Sequence, residues 1–190
     1  MKIILASKSP RRRELLSEIT PSFEIITAET DETLPPDTEL SDGVRQLAIR
    51  KGAAVLPLVS FDDMVISSDT LVELDGVALG KPSDEECAFN MLSALSGNRH
   101  NVHTGVAIHY RGNVYSGVDT TAVYFRTISE GEIREYIATG EPMDKAGSYG
   151  IQGLGGKFVE KFDGNYDTVV GLSRSLLRRL MKECEQNDEA

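Results

Sequence analysis

Two things are scarce in this chain of 190 residues: cysteine and long apolar runs. Only Cys87 and Cys184 are present, far apart and without metal-ligand spacing, so they imply neither a disulfide framework nor a zinc site. A reducing compartment, the cytoplasm, is the expected setting. No stretch approaches the ~20 apolar residues of a membrane span. The short run Ile3-Ile4-Leu5-Ala6 is followed by its charges instead of preceded by them, the reverse of a secretory signal. Positive charge is also in deficit. Thirty acidic against twenty basic residues give a net charge of −10, which argues against a broad face for long nucleic acid or an anionic membrane. Internal repeats and low-complexity linkers are missing as well.

What remains is 40% hydrophobic and 26% charged, the balance of a globular protein. A chain this long buries roughly 70% of its unfolded surface and needs no covalent staple. Periodicity alternates throughout. Lys2–Ala6 reads as a buried strand, followed by a polar turn, Pro10 at a first helical position, and a helix with Leu15, Leu16 and Ile19 on one face. Phe23–Thr27 reads as a second strand and the acidic 29–40 segment, with Pro35-Pro36, as a loop. Ser41 is placed to cap a helix that stops near Pro57. Met64–Ser67 reads as a strand ending in Ser68-Asp69-Thr70, after which 71–79 turns back at Asp75-Gly76. Capping boxes are expected at Ser83/Glu86 and Ser129/Glu132, and a hairpin around Arg111-Gly112-Asn113. Strand 157–162 and helix 172–184 follow, with 184–190 a frayed tail on a single 1–190 domain. The pattern implies an α/β fold.

Three segments carry candidate chemistry. Ser7-Lys8-Ser9-Pro10-Arg11-Arg12-Arg13 sets hydroxyls and cations where a strand becomes a helix N-terminus. Free N–H groups, the helix dipole and guanidinium forks there suit a phosphate, and cations at that end cost stability unless an anion arrives. The bland alternative is a solvated basic helix start. Asp69 can orient or deprotonate water, hold a metal, or merely close a turn; Lys81 in Gly80-Lys81-Pro82 can return as a phosphate-binding cation or remain a turn lysine. Residues 144–156, rich in glycine, permit close backbone approach to a ligand, and Gln152 offers an amide that donates and accepts. This segment fits neither a Walker loop nor a dinucleotide fingerprint. His100 and His103 face opposite sides of one strand and make a poor metal pair, and Ser9 lacks a convincing His and Asp for a hydrolase triad. The acidic run Glu29, Asp31, Glu32 is a solvated loop unless one carboxylate reaches a metal near a triphosphate.

Ala6-Ser7-Lys8-Ser9-Pro10-Arg11-Arg12-Arg13-Glu14-Leu15-Leu16, Ser68-Asp69-Thr70 with Gly80-Lys81-Pro82, Leu95-Ser96-Gly97 to His103-Thr104-Gly105, and Asp144-Lys145-Ala146-Gly147 through Gly171-Leu172 stand in one order along the chain. Together they make the sequence resemble the Maf family of nucleoside triphosphate pyrophosphatases. The resemblance implies a mixed, twisted sheet flanked by helices, with two lobes around a deep substrate cleft, as in the inosine triphosphatase-like folds. It implies cleavage between the α and β phosphates of a nucleoside triphosphate with a divalent cation, magnesium or manganese. Tyr149-Gly150-Ile151-Gln152-Gly153 resembles the branch acting on dTTP and UTP. Asp69 is then the proton acceptor, and Arg12, Thr70 and Gln152 are tied to base choice. Ser7, Arg11, Lys51 and Lys81 line the phosphate site, and Glu32 with Asp69 is the implied metal pair. Ser173 departs from the proline common there. The implied partners are the nucleotide and, at most, a second copy of the chain. A different class, a nucleotide-sensing regulator of cell division without turnover, would use the same residues.

Overall fold

The computed structural model describes residues 1–35 and 38–188; Pro36 of the expected loop and the last two residues of the expected tail lie outside the described residues. Thirteen regular elements are described, in the order β1 (Ile3–Leu5), α1 (Pro10–Ser17), β2 (Glu24–Ile25), α2 (Leu40–Ala53), β3 (Met64–Leu74), β4 (Val77–Leu79), α3 (Glu85–Leu95), β5 (Arg99–Tyr110), β6 (Asn113–Phe125), α4 (Glu130–Ile137), β7 (Val159–Asp163), α5 (Tyr166–Val170) and α6 (Arg174–Asp188). The seven strands form a mixed sheet in the order β2-β1-β3-β5-β6-β7, with β4 pairing β3. β1 pairs in parallel with β2 and β3, whereas β3 with β4 and β6 with β7 are antiparallel.

The chain divides into two compact units. One comprises Met1–Asp69, Thr104–Asp119 and the chain from Gly171; the other comprises Thr70–His103 and Thr120–Val170. In the first unit, Ile4, Ala6, Val55 and Val65 form a buried cluster against Ile26 and Val59. α2 lies flush on β3 and β5 because two glycines remove the side chains that would hold it off. A Cβ on Gly105 would fall 2.7 Å from the Val44 carbonyl carbon, and one on Gly52 2.7 Å from Ser67 Oγ. Ser67 Oγ closes the contact by donating to the Ala48 carbonyl at 2.7 Å. In the second unit, Leu92 and Leu95 of α3, Ile133 and Tyr136 of α4, and Val123 and Phe125 of β6 pack with Tyr149 and Phe158 into an aromatic-rich core. Each fully buried aliphatic side chain there contributes roughly 2 kcal/mol.

Turn chemistry explains the reversals. Asp75 and Gly76 (φ 50° and 79°), like Arg111 and Gly112 (φ 47° and 78°), have the paired positive φ of two-residue hairpins. Ser129 and Glu132 form the expected reciprocal box at α4. Elsewhere a nearby carboxylate displaces the expected cap. α2 is capped by Glu39, whose side chain accepts the Ser41 and Asp42 N–H groups, and Ser41 falls inside the first turn. At α3, Asp84 accepts the Cys87 N–H at 2.7 Å in place of Ser83. α2 ends at Ala53 and a 3-10 turn, Leu56–Leu58, carries the chain past Pro57. The expected frayed segment is helical through Asp188, whose carboxylate receives Arg111 Nη1 and the Tyr110 hydroxyl at 2.9 and 3.0 Å. Among the described residues no helix is long and apolar enough to cross a membrane.

Candidate active site

Ser9 is the N-cap of α1 and Pro10 fills its first turn, with no acidic residue there to oppose the dipole. Ser7, buried just after β1, accepts the Ser9 N–H at 3.2 Å and Arg12 Nη1 at 3.4 Å. Arg12 Nε donates to the Gly171 carbonyl at 2.9 Å, so this guanidinium is oriented at two ends. Burial pushes the Arg12 pKa below its ordinary value; Asp69 and Glu32 pull it up, and Arg11 pushes it further down. Those four charges therefore share one electrostatic environment.

Asp69 differs from its expected setting. β3 does not stop at Ser67 but runs without a break to Leu74, so Ser68-Asp69-Thr70 sits in mid-strand. The polar interruption is absorbed by tertiary bonds, since the buried Ser68 hydroxyl lies 2.8 Å from the Gly105 carbonyl and 2.9 Å from that of Gly171. The Asp69 side chain is only 12% exposed, and its Oδ1 receives Lys51 Nζ at 2.5 Å. Lys51 comes from α2, and its ammonium also meets Glu32 Oε1 at 2.8 Å. Arg50, the residue before it, donates to the carbonyls of Thr33 and Asp31 at 2.7 and 3.4 Å, pinning the loop on both sides of Glu32.

Asp69 and Glu32 thus converge on one cation, the Lys51 ammonium. Two carboxylate oxygens are a small donor set, but they suit a hard divalent ion that keeps water and takes further oxygens from phosphate. Among the described residues no cluster of three or more His, Cys, Asp or Glu side chains is placed to hold a metal by itself. Glu32 and Asp69 are the two carboxylates that meet at this point, and their oxygens are of the type such an ion takes.

Six of the sequence candidates, Ser7, Arg11, Arg12, Glu32, Lys51 and Asp69, belong to the first unit. Thr70, Lys81 and Gln152 belong to the second. There the turn carrying Lys81 is tied down by the Gly147 N–H, which donates to the Gly80 carbonyl at 3.0 Å. Gln152 is exposed on the glycine-rich loop. His100 and His103 part as expected: His100 Nε2 lies 2.8 Å from the Tyr149 hydroxyl, and His103 bridges Glu73 and Thr120 at 2.6 and 2.8 Å. Residue-by-residue reading took up Ser68 only as part of the Ser68-Asp69-Thr70 segment, and it missed Arg50 and the Gly171 carbonyl. Backbone acceptors and helix neighbours leave little signal in composition; only the repeated glycines hinted at close approach.

An ammonium and guanidinia beside a helix N-terminus on this sheet have the chemistry to receive a multiply charged anion. The fold is similar to that of the Staphylococcus aureus Ham1 protein, with a TM-score of 0.53 and 17% identity over 100% of this chain and 98% of that one. The Maf-like protein family matches residues 2–184, and the chain belongs to it. Among curated relatives, the protein named dTTP/UTP pyrophosphatase from Clostridium novyi (strain NT) is 47% identical over 98% of this chain and 100% of its own length. Another so named, from Vibrio cholerae, is 47% identical over 90% of this chain and 91% of its own.

Proposed function

We propose that this chain hydrolyses dTTP and UTP between the α and β phosphates, releasing the nucleoside monophosphate and pyrophosphate. The observation that carries the reading is the Asp69–Lys51–Glu32 triad, a nearly buried carboxylate held against a cation in the same electrostatic environment as Arg11 and Arg12 of α1. Full-length likeness to relatives bearing that name supports the choice of substrate. Asp69 accepts the proton of the water that attacks the α phosphorus, and the P–O bond to the pyrophosphate leaving group breaks in line. Arg11, Lys51 and Lys81, with Ser7, bind phosphate oxygens and offset the charge that develops on them. Glu32 and Asp69 would hold a magnesium or manganese ion, which supplies Lewis-acid charge neutralisation when bound. Arg12, Thr70 and Gln152 select the base. Uracil and thymine present an N3–H donor beside carbonyl acceptors, a pattern the Gln152 amide matches and cytosine in part reverses.

The test is a panel of canonical triphosphates incubated with magnesium, with product analysis. UTP and dTTP are expected to give monophosphate and pyrophosphate faster than CTP or GTP, and excess chelator is expected to stop the reaction. Orthophosphate as the first product, or full turnover in chelator, overturns the proposal.

A further inference from the structure

Gln152 sits where packing does not determine the backbone. Residues 152–154 are exposed, and this stretch places no side chain in the core of its unit. Besides its own turn bonds, from the Gly153 N–H to the Gly150 carbonyl and from the Gly156 N–H to the Gly153 carbonyl at 3.2 and 3.1 Å, it is held by hydrogen bonding from two residues that no motif had singled out. Glu141 stands in the 3-10 turn Glu141–Asp144 that follows α4. Its Oε2 accepts the Leu154 N–H at 2.9 Å, and its Oε1 accepts the Gly155 N–H at 3.2 Å together with the Tyr136 hydroxyl at 2.9 Å. That buried hydroxyl in turn accepts the Gly150 N–H at 3.3 Å. Gln152 is therefore held two residues before and two residues after its own position.

The glycines serve the same contact. A Cβ on Gly153 would lie 2.6 Å from the Glu141 carboxylate carbon, and one on Gly155 3.0 Å from the Tyr136 ring carbon that bears the hydroxyl. Only bare backbone lets the carboxylate and the phenol reach the loop. The Glu141 main chain is anchored as well: Lys145 Nζ donates to its carbonyl at 2.7 Å, and its N–H donates to Thr139 Oγ1 at 3.2 Å. Burial opposes the Glu141 charge, yet the backbone donors, Tyr136 and Lys145 outweigh it and hold its pKa below the ordinary carboxylate value. A carboxylate committed in this way to one loop's N–H groups is an organiser of that loop.

We infer that Glu141 and Tyr136 are positioning residues for base selection: they preset the Gly150–Gly155 backbone so that the Gln152 amide meets a uracil or thymine edge. The inference rests on the proposed dTTP and UTP activity. Its test compares the parent with Glu141→Ala, Glu141→Gln, Tyr136→Phe, Gln152→Leu and the Glu141→Ala/Gln152→Leu double variant. Each is measured for kcat and KM on UTP and CTP with magnesium, and for amide hydrogen exchange at residues 150–155. Glu141→Ala is expected to lower the UTP over CTP preference about tenfold, mainly through KM for UTP, while exchange at Leu154 and Gly155 accelerates. Glu141→Gln, which keeps one acceptor oxygen, restores part of the preference. Tyr136→Phe frees Gly150 and causes a smaller loss. The double variant matches Gln152→Leu alone, because loop order has no effect on selection once the amide is gone. A merely structural role would slow UTP and CTP alike, and that result, or an unchanged preference with accelerated exchange, overturns this inference alone. If Glu141→Ala does not fold, the Glu141→Gln and Tyr136→Phe variants decide by the same criteria. A parent that does not cleave UTP, or treats UTP and CTP alike, overturns the activity and the inference together.

Discussion

Asp69 and Lys51 form the shorter of the two ion pairs at this ammonium, but they differ in what is left when one is removed. Asp69→Asn leaves Lys51 its second partner, Glu32, at 2.8 Å. It is expected to keep the thermal midpoint near that of the parent and to lose at least ~100-fold in kcat, the scale of an absent general base. Lys51→Met leaves the nearly buried Asp69 without its ammonium and is expected to cost more stability than Asp69→Asn, roughly 3 kcal/mol. Calorimetry and steady-state kinetics on the two variants check both statements; equal midpoints, or near-parental turnover in Asp69→Asn, would sink the assignment. The residues of this site were legible to different degrees. Ser7, Arg11 and Arg12 declared themselves as cations and hydroxyls at the wrong end of a helix for the dipole, and Asp69 as a carboxylate breaking an apolar run. Lys51 and Glu32 did not, because an exposed loop acid and a helix lysine acquire meaning only when tertiary folding joins them; Lys51 entered through family resemblance, and Glu32 stood out only as one of three acids in a loop, any of which could reach a metal. Gln152 was visible from its amide among glycines, whereas its organiser Glu141 lies eleven positions upstream behind a helix end.

At the scale of elements, the placement of Lys51 depends on how closely α2 approaches the sheet. Gly105→Ala would put a methyl 2.7 Å from the Val44 carbonyl carbon and 2.9 Å from Arg45 Cα. Both are backbone atoms of α2, which cannot turn aside as a side chain would. The helix has to lift, carrying Lys51 away from Asp69. The expected outcome is a loss of about 1–3 kcal/mol in chemical denaturation, typical of overpacking, with kcat/KM falling for every triphosphate in parallel. An active variant of parental stability would show that α2 tolerates the displacement. Local signals served well where the reversal was encoded within a few residues, as in the Asp75-Gly76 and Arg111-Gly112 turns and the Ser129/Glu132 box. They failed where a stronger neighbour competed, with Glu39 and Asp84 taking over capping from the hydroxyl residues beside them. They failed again where a polar triplet resembled a strand end: Ser68 and Asp69 find partners on β5, α2 and the Gly171 segment, and β3 continues through them.

The whole molecule should respond to acid through a group that has no part in the proposed chemistry. His100 is 1% exposed, and burial, aided slightly by Arg99, pushes its pKa down from 6.5 to about 4. Its ring stands edge-on to Phe125 and Tyr149 at centroid distances of 5.0 and 5.5 Å. Nδ1 is buried, and among the described residues no group bonds to it. The neutral tautomer with its hydrogen on Nε2 donates to the Tyr149 oxygen and leaves only a lone pair at Nδ1, whereas protonation would add a buried N–H without an acceptor. The folded state therefore keeps His100 neutral over a range where the unfolded chain takes up a proton. Between about pH 6.5 and pH 4 the unfolded state binds more protons, so stability rises with pH there and falls as acid is added. The depression of about 2.5 units corresponds to about 3 kcal/mol over the full window. His109, whose pKa burial also lowers, adds in the same direction. Glu73, Glu141 and Glu132, all held below the ordinary carboxylate range, lose their contributions only at lower pH. Urea unfolding at pH 7.5 and pH 4.5 spans the histidine window, and a His100 variant separates this histidine from carboxylates that begin to titrate in the unfolded chain at its acid end. The parent is expected to lose at least about 2.5 kcal/mol between them, and His100→Asn, which cannot titrate there, to lose about 2.5 kcal/mol less while starting from a lower value at pH 7.5. Equal losses in the two proteins would mean that His100 is not held neutral by the fold.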